Sequence, residues 1–272
     1  MIVLWIVLAI ILFVAILFIL ATRCRHGHEG LSALRGWAYA HRGLHGGGVP
    51  ENSMAAFERA LDAGYGIELD VHLTSDRGLA VIHDAALIRT TGADGYVEDL
   101  TTHQLSDYKL EGTEGTIPQL KDVLELFAGK APLIIELKCE RNNYAELCEE
   151  VCKAMEGYTG AYCMESFDPR CIRWLRKNRP DIIRGQLAEN YFAGTKAKIP
   201  GLLKFILTHQ LLNFLILPDF VAYRFKDRKN LGNLLAEKVW RVQSVSWTLR
   251  NIEDHRIAVA ENRIPIFEKY LP

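Results

Sequence analysis

The chain has no excess of charge of either sign. Across its 272 residues, 32 Lys and Arg stand against 33 Asp and Glu, a formal net charge of −1. Without a cationic field, and without a basic run interleaved with aromatics, nucleic acid is a poor first candidate for a partner. Patterned cysteine is also missing. Cys24, Cys139, Cys148, Cys152, Cys163 and Cys171 form no CxxC pair and no dense framework, which argues against a disulfide scaffold and a zinc site. Cys148 and Cys152, four apart on a predicted helix, read as packing. There is no internal repeat and no Gly/Ser linker, and 49% hydrophobic residues exclude a disordered, collagenous or low-complexity chain.

Residues 1–22 lack charge, proline and glycine altogether (MIVLWIVLAIILFVAILFILAT). A helix of about 20 residues at about 1.5 Å per residue spans the hydrocarbon core of a bilayer. A cleaved signal peptide needs a basic leader and a shorter apolar stretch, and neither is present. The reading is therefore one transmembrane anchor over 1–22 and a juxtamembrane segment over 23–36. Arg23 and Arg25 follow the helix directly, so the positive-inside rule predicts a single-pass protein with its C-terminal bulk in the cytoplasm.

From residue 37 to 272, apolar strand-like runs alternate with helical patterns. Strands are expected at Trp37–Ala40, Gly66–Leu73, Leu79–His83, Leu133–Lys138, Tyr162–Ser166, Ile182–Gln186, Phe220–Tyr223, Gln243–Trp247 and Arg263–Phe267. Helices are expected at Ser53–Ala63, Gln119–Phe127, Tyr144–Met155, Pro169–Asn178 and Leu231–Glu237. Repeated β-α units predict an α/β protein, a TIM-type (β/α)8 barrel in one catalytic domain over 37–272. Residues 85–118, rich in Gly, Thr and Asp, read as a small insertion after the second strand. Gly201–Leu217 is apolar but holds Lys204, His209, Gln210 and Asn213, so a buried or interfacial helix is expected rather than a second span.

The chemistry lies at strand ends. In Gly66–Leu73, alternation puts Ile67, Leu69, Val71 and Leu73 on one face and Glu68, Asp70 and His72 on the other. Inside a barrel, two carboxylates about 4–7 Å apart repel by about 2–4 kcal/mol at an effective dielectric near 20. A hard divalent cation, which takes oxygen ligands, removes that cost. In Leu133–Lys138 the same logic sets Glu136 and Lys138 on the inner face, a carboxylate beside an ammonium. A solvated edge strand and a half-buried ion pair are the plainer alternatives for these two segments. His41 and His83 end strands, where barrel active sites form and where imidazole can pass protons. His45, His72, His103 and His209 read as structural.

His41-Arg42-Gly43, Pro50-Glu51-Asn52-Ser53, Glu68-x-Asp70, His83-Asp84 and Glu136-x-Lys138, in that order, resemble the glycerophosphodiester phosphodiesterase family. Arg89-Thr90-Thr91, Ile117-Pro118-x-Leu120 and Ser246-Trp247-Thr248 extend the match. The resemblance implies one divalent cation, Mg2+ or Ca2+, on Glu68, Asp70 and Glu136, and His41 and His83 as the acid-base pair. It further implies Arg42 and Lys138 on the phosphate, Asn52 in support, and Trp247 on the alcohol side of the pocket, beside the plainer reading of a buried strand tryptophan. The expected activity is hydrolysis of a glycerophosphodiester to glycerol 3-phosphate and an alcohol.

Departures are Ser53 in place of a threonine, a glycine-rich loop over 46–48, and no final outer helix, whose gap the segment before Trp37 is expected to cover. Two alternatives stand beside that activity. One is lysophospholipase D-type cleavage of a lysolipid at the membrane surface, with Gly201–Leu217 and Lys196, Lys198 and Lys204 resting there. The other is a non-catalytic membrane-anchored binding protein. A related phospholipase C- or sphingomyelinase D-like barrel is a further enzymatic alternative, and the His41-Arg42-Gly43 and Pro50-Glu51-Asn52 pair argues against it.

Overall fold

The structure, a computed structural model, describes residues 1–193 and 199–272; Lys196 and Lys198 lie outside the described residues. In chain order it contains α1 (Ile2–Ala21), a 3-10 turn at Glu29–Leu34, β1 (Tyr39–His41), α2 (Met54–Asp62), β2 (Gly66–Leu73), β3 (Leu79–Val81), α3 (Ile88–Thr91) and α4 (Thr102–Leu105). There follow α5 (Leu120–Phe127), β4 (Leu133–Leu137), α6 (Tyr144–Ala154), β5 (Tyr162–Ser166), α7 (Pro169–Asn178), β6 (Arg184–Ala188), α8 (Gly201–Thr208) and α9 (Asn213–Ile216). The chain closes with β7 (Phe220–Arg224), α10 (Leu231–Lys238), β8 (Gln243–Leu249), α11 (Ile252–Ala260) and β9 (Ile264–Phe267). Short polar side chains start the helices. The Ser53 hydroxyl accepts the Ala56 N–H at 3.2 Å and the Asp168 carboxylate accepts the Arg170 N–H at 2.8 Å, with Pro169 in the first helical position.

Strands β1, β2, β4, β5, β6, β7, β8 and β9 pair in that order, all parallel, and β9 returns to β1 to close an eight-stranded barrel. Strand β3 runs antiparallel to the end of β2, with Val81 opposite Val71, and stays outside the ring. Alternation divides each strand between two cores. Ile67, Leu69, Val71, Ile135, Leu137 and Met164 pack outward, under Phe127, Leu147, Val151 and Leu175 of the helices. Tyr39, Ile134, Cys163, Phe220, Val245 and Ile266 pack inward. Gly185 is needed here: a Cβ on it would stand 2.1 Å from the Phe220 ring.

Three expectations change. The Glu29–Leu34 turn does not replace an outer helix; it passes under the barrel, and Leu31 and Leu34 enter the inner core as a plug at the base. The outer face beside β9 is covered instead by Tyr65 and Tyr270, whose rings stand 4.9 and 5.7 Å from that of Phe267. Gly201–Leu217 is two helices, not one. It breaks after Thr208, where Gln210 takes a left-handed backbone (φ 56°) and the buried amides of Gln210 and Asn213 bond to each other at 3.1 Å. A continuous helix would have swung these amides onto an apolar face. Finally, the third strand ends at Val81, so His83 sits in the turn beyond it.

Candidate active site

Parallel pairing sets residues of neighbouring strands level with one another, about 4.8 Å apart. His41 of β1 lies level with Glu68 of β2, Asp70 of β2 with Glu136 of β4, and Glu136 with Glu165 of β5. All of these face inward at the C-terminal end of the barrel, the end where TIM-barrel sites form. Ligand oxygens of Glu68, Asp70 and Glu136 fall within 4.8 Å of one another, and all three residues are buried.

Two cations bear on these carboxylates. Lys138 Nζ stands 2.6 Å from Glu136 Oε1 and 2.9 Å from Asp70 Oδ1. Arg42 Nε stands 3.3 Å from Asp70 Oδ2, and the Arg42 main-chain N–H donates to Glu68 Oε2 at 3.1 Å. Asn52 is 2% exposed and spends its amide on Asp70, donating from Nδ2 to Oδ2 at 2.8 Å. Both Arg42 and Asn52 hold left-handed backbones (φ 56° and 50°), strain that residues with a Cβ keep where neighbours enforce it.

Each histidine is backed by a carboxylate. His41 Nδ1 meets Glu268 Oε2 at 3.2 Å, and His83 Nδ1 meets Asp84 Oδ1 at 2.5 Å. A carboxylate only accepts, so in both rings Nδ1 carries the hydrogen and Nε2 is left for other partners. His41 Nε2 lies 3.9 Å from Glu68 Oε2. A chain of ion pairs runs from His83 to Arg42, the residue after His41. Arg89 holds Asp84 through Nε and reaches Glu51 at 2.6 Å, and Glu51 accepts from Arg42 at 2.9 Å. His72 keeps its structural reading, bonded to Glu98 at 2.7 Å and to the His83 carbonyl at 3.1 Å. His45, read as structural, converges with His41 and Glu268. Trp247 lies near the mouth, its Nε1 donating to the Ala222 carbonyl at 3.0 Å and its ring edge-on to Phe167.

Burial shapes the charges. It pushes Glu68 well above the usual carboxylate range, and Asp70 and Glu136 push it further. Burial would raise Asp70 too, but Lys138, His83 and Arg42 outweigh it and hold Asp70 well below that range. Glu165, 1% exposed with its Oε2 unpartnered, is pushed well up by burial and by Glu136. Burial lowers the His41 imidazole to about 4 against the opposing pull of Glu268. Four inward carboxylates, Glu68, Asp70, Glu136 and Glu165, face only Lys138 and an Arg42 that is shared with Glu51, so the cluster can carry more negative charge than these two side chains meet. A buried set of hard oxygen donors with that deficit fits one divalent cation.

Nine of these side chains are ones the sequence pointed to, and Glu165, Glu268, Asp84 and Glu51 stand beside them without having been given a role. Glu165 carried a usable signal, because it alternates with Cys163 on the inner face of Tyr162–Ser166. Glu268 carried none, since only the barrel's closure brings β9 beside β1.

The profile of the glycerophosphoryl diester phosphodiesterase family matches residues 41–262. The chain belongs to that family. Over 114 residues this family member is 46% identical to a glycerophosphodiester phosphodiesterase of Bacillus altitudinis, covering 39% of this chain and 46% of that protein. Over 127 residues it is 38% identical to a lysophospholipase D of Rattus norvegicus, covering 42% of this chain and 40% of that protein. The alignments thus span less than half the length of these two curated relatives. A phosphodiesterase of Oleispira antarctica, solved with the product sn-glycerol-3-phosphate, superposes with a TM-score of 0.71 over 89% of this chain and 95% of that one. At 20% identity that likeness is one of fold.

Proposed function

We propose that this chain is a membrane-anchored hydrolase that cleaves glycerophosphodiesters to glycerol 3-phosphate and an alcohol. It does so with one divalent cation, magnesium or calcium, on Glu68, Asp70 and Glu136. The observation that carries the reading is the convergence of three buried carboxylates between two imidazoles, each turned by a carboxylate behind it. The cation, when bound, supplies positive charge where a phosphodiester gathers negative charge. Arg42 and Lys138 supply more from the protein side, and Asn52 fixes Asp70 rather than meeting the substrate.

His41, neutral near pH 7 and holding its Nδ1 hydrogen on Glu268, takes the proton of the attacking water at Nε2. His83, held by Asp84, returns a proton from Nε2 to the leaving alkoxide. Trp247 and Phe167 form an apolar edge on the alcohol side.

Helix α1 is long and apolar enough to cross a membrane, and residues 1–17 are exposed. We read it as a single-pass anchor with the barrel on the cytoplasmic side, because Arg23 and Arg25 follow it. That helix also favours a second reading of the substrate, lysophospholipase D-type cleavage, which fits the similarity to the rat enzyme.

The test is product identification with the purified full-length chain in detergent, given glycerophosphocholine and either Mg2+ or Ca2+. Release of glycerol 3-phosphate and choline, abolished in His41→Ala, is expected. Absence of turnover on both glycerophosphocholine and lysophosphatidylcholine would leave a binding protein instead.

A further inference from the structure

The line of α1 against the barrel tells which end of the barrel the bilayer meets. The C-terminal end of α1 is fastened at the base. The Arg25 N–H donates to the Pro218 carbonyl at 3.0 Å and its guanidinium pairs with Asp219, just before β7 begins. Trp240, just before β8, donates from Nε1 to the Ile19 carbonyl at 3.1 Å. Seven residues back along the chain from Arg25, Phe18 lies edge-on to His209 with ring centroids 5.5 Å apart, and 6.3 Å from Phe205. His209 belongs to the mouth half. Its backbone lies on Gly232, in the first turn of α10, so closely that a Cβ there would stand 2.1 Å from the His209 oxygen. The preceding Thr208 carbonyl accepts the hydroxyl of Tyr223, at the mouth end of β7. Going backwards from Arg25 to Phe18, the chain therefore climbs from base to mouth. Residues 1–17 continue that line with no burial against the protein, for about 25 Å at about 1.5 Å per residue.

The rim that would meet the bilayer is apolar. Large apolar side chains stand exposed on elements that begin at strand C-termini: Phe192 (59%), Leu202 (72%), Leu231 (56%) and Ile252 (42%). Phe205, half exposed, touches Phe18 itself and so lies at the depth of the anchor's last turns. The base exposes charge at Lys130, Glu156, Asp181 and Arg241, together with apolar side chains at Phe214 (47%), Val239 (49%) and Val259 (51%).

We infer that the mouth of the barrel faces the bilayer, seated on it by this apolar rim, and that the substrate is a single-chain phosphodiester lipid reaching the site from the membrane surface. The substrate part rests on the proposed hydrolase; the orientation does not. A soluble diester gains nothing from such a seat, whereas a lysolipid needs to rise only by its headgroup to bring its phosphate to Arg42 and Lys138.

The test uses the full-length chain carrying Cys139→Ser, the other five cysteines being buried. Single cysteines replace Phe192, Ile252, Glu156 or Val259 and carry a fluorophore. The labelled chains are placed in phosphatidylcholine vesicles that contain nitroxide lipids. Quenching at positions 192 and 252 at least threefold stronger than at 156 and 259 is expected. Equal quenching, or stronger quenching at the base, overturns the orientation. In the same vesicles, Phe192→Glu with Leu202→Glu should lower the rate ratio of lysophosphatidylcholine to glycerophosphocholine by tenfold or more, and Val259→Glu should not. An unchanged ratio in the double variant overturns the substrate class. If neither diester is cleaved, the hydrolase reading falls while the quenching pattern still decides the orientation.

Discussion

The two ends of the barrel interior are built from the same strands and the same faces, yet they carry opposite chemistry. Near the base, the inward positions are Tyr39, Ile134, Cys163, Phe220, Val245 and Ile266, closed from below by Leu31 and Leu34. Two residues further along, the same face carries His41, Glu136, Glu165, Trp247 and Glu268, while the strand of Phe220 keeps an apolar Ala222. Nothing in strand geometry requires that switch. Apolar side chains at the mouth would stabilise it, while buried carboxylates cost free energy unless something positive meets them. The base is there to hold the strands closed and the mouth to hold charge, so substitutions at the two ends should separate activity from stability.

The largest effect belongs at the mouth. His41→Ala should lower turnover by about a hundredfold or more, as loss of a general base does, with an unchanged melting temperature. A comparable rate in the folded variant would remove His41 from the chemistry. At the base, Leu34→Ala should cost about 2–5 kcal/mol of stability, read by urea unfolding, with near-native turnover in the folded fraction. If Leu34→Ala left stability intact, the 3-10 turn would not be a plug.

A finer test is Glu268→Gln. It keeps the shape but offers His41 an amide in place of a carboxylate, so turnover should fall on the order of tenfold and the acidic limb of the pH profile, which reports the His41 base, should move to lower pH, with KM little changed. A purely structural role would leave the profile where it was.

The smallest effect concerns Glu165. Its carboxyl is pushed up in the folded protein, so the native state binds more protons than the unfolded chain above pH 4.5. The contribution of Glu165 to the stability of the cation-free protein is therefore greatest below that pH and is lost as pH rises through the raised pKa. Glu165→Gln should flatten that fall and lift the melting temperature at pH 7 by roughly 2–4 °C, the size of a change of about 1 kcal/mol in a domain of this size. A steeper fall would place an unrecognised cation beside Glu165.

These same two ends explain how much was legible in advance. Alternation within one strand is local, so Glu68 and Asp70 could be read from Gly66–Leu73, and Glu136 with Lys138 from the next barrel strand. The closed barrel followed from the repeated β-α units, though Leu79–Val81 turned out to pair antiparallel outside the ring. What stayed hidden depends on register between distant segments. Glu268 reaches His41 across 227 residues, and only the β9–β1 pairing joins them. Asp84, Glu51 and Arg42 lie in loops and Arg89 on the single turn of α3, where side-chain direction has no period long enough to read. The break in Gly201–Leu217 was set by buried amides that needed partners, a demand that hydropathy does not register.

The most direct trial of the whole account is calorimetric titration of Mg2+ and of Ca2+ into the full-length chain and into Glu136→Gln, with glycerophosphocholine hydrolysis followed in the same samples. One cation per chain, bound at least tenfold more weakly by the variant and with turnover rising in step with its binding, is the outcome predicted. Hydrolysis that runs at full rate in strong chelator, or a variant that binds and turns over like the native chain, would contradict the claim that the mouth's carboxylates exist to hold a cation.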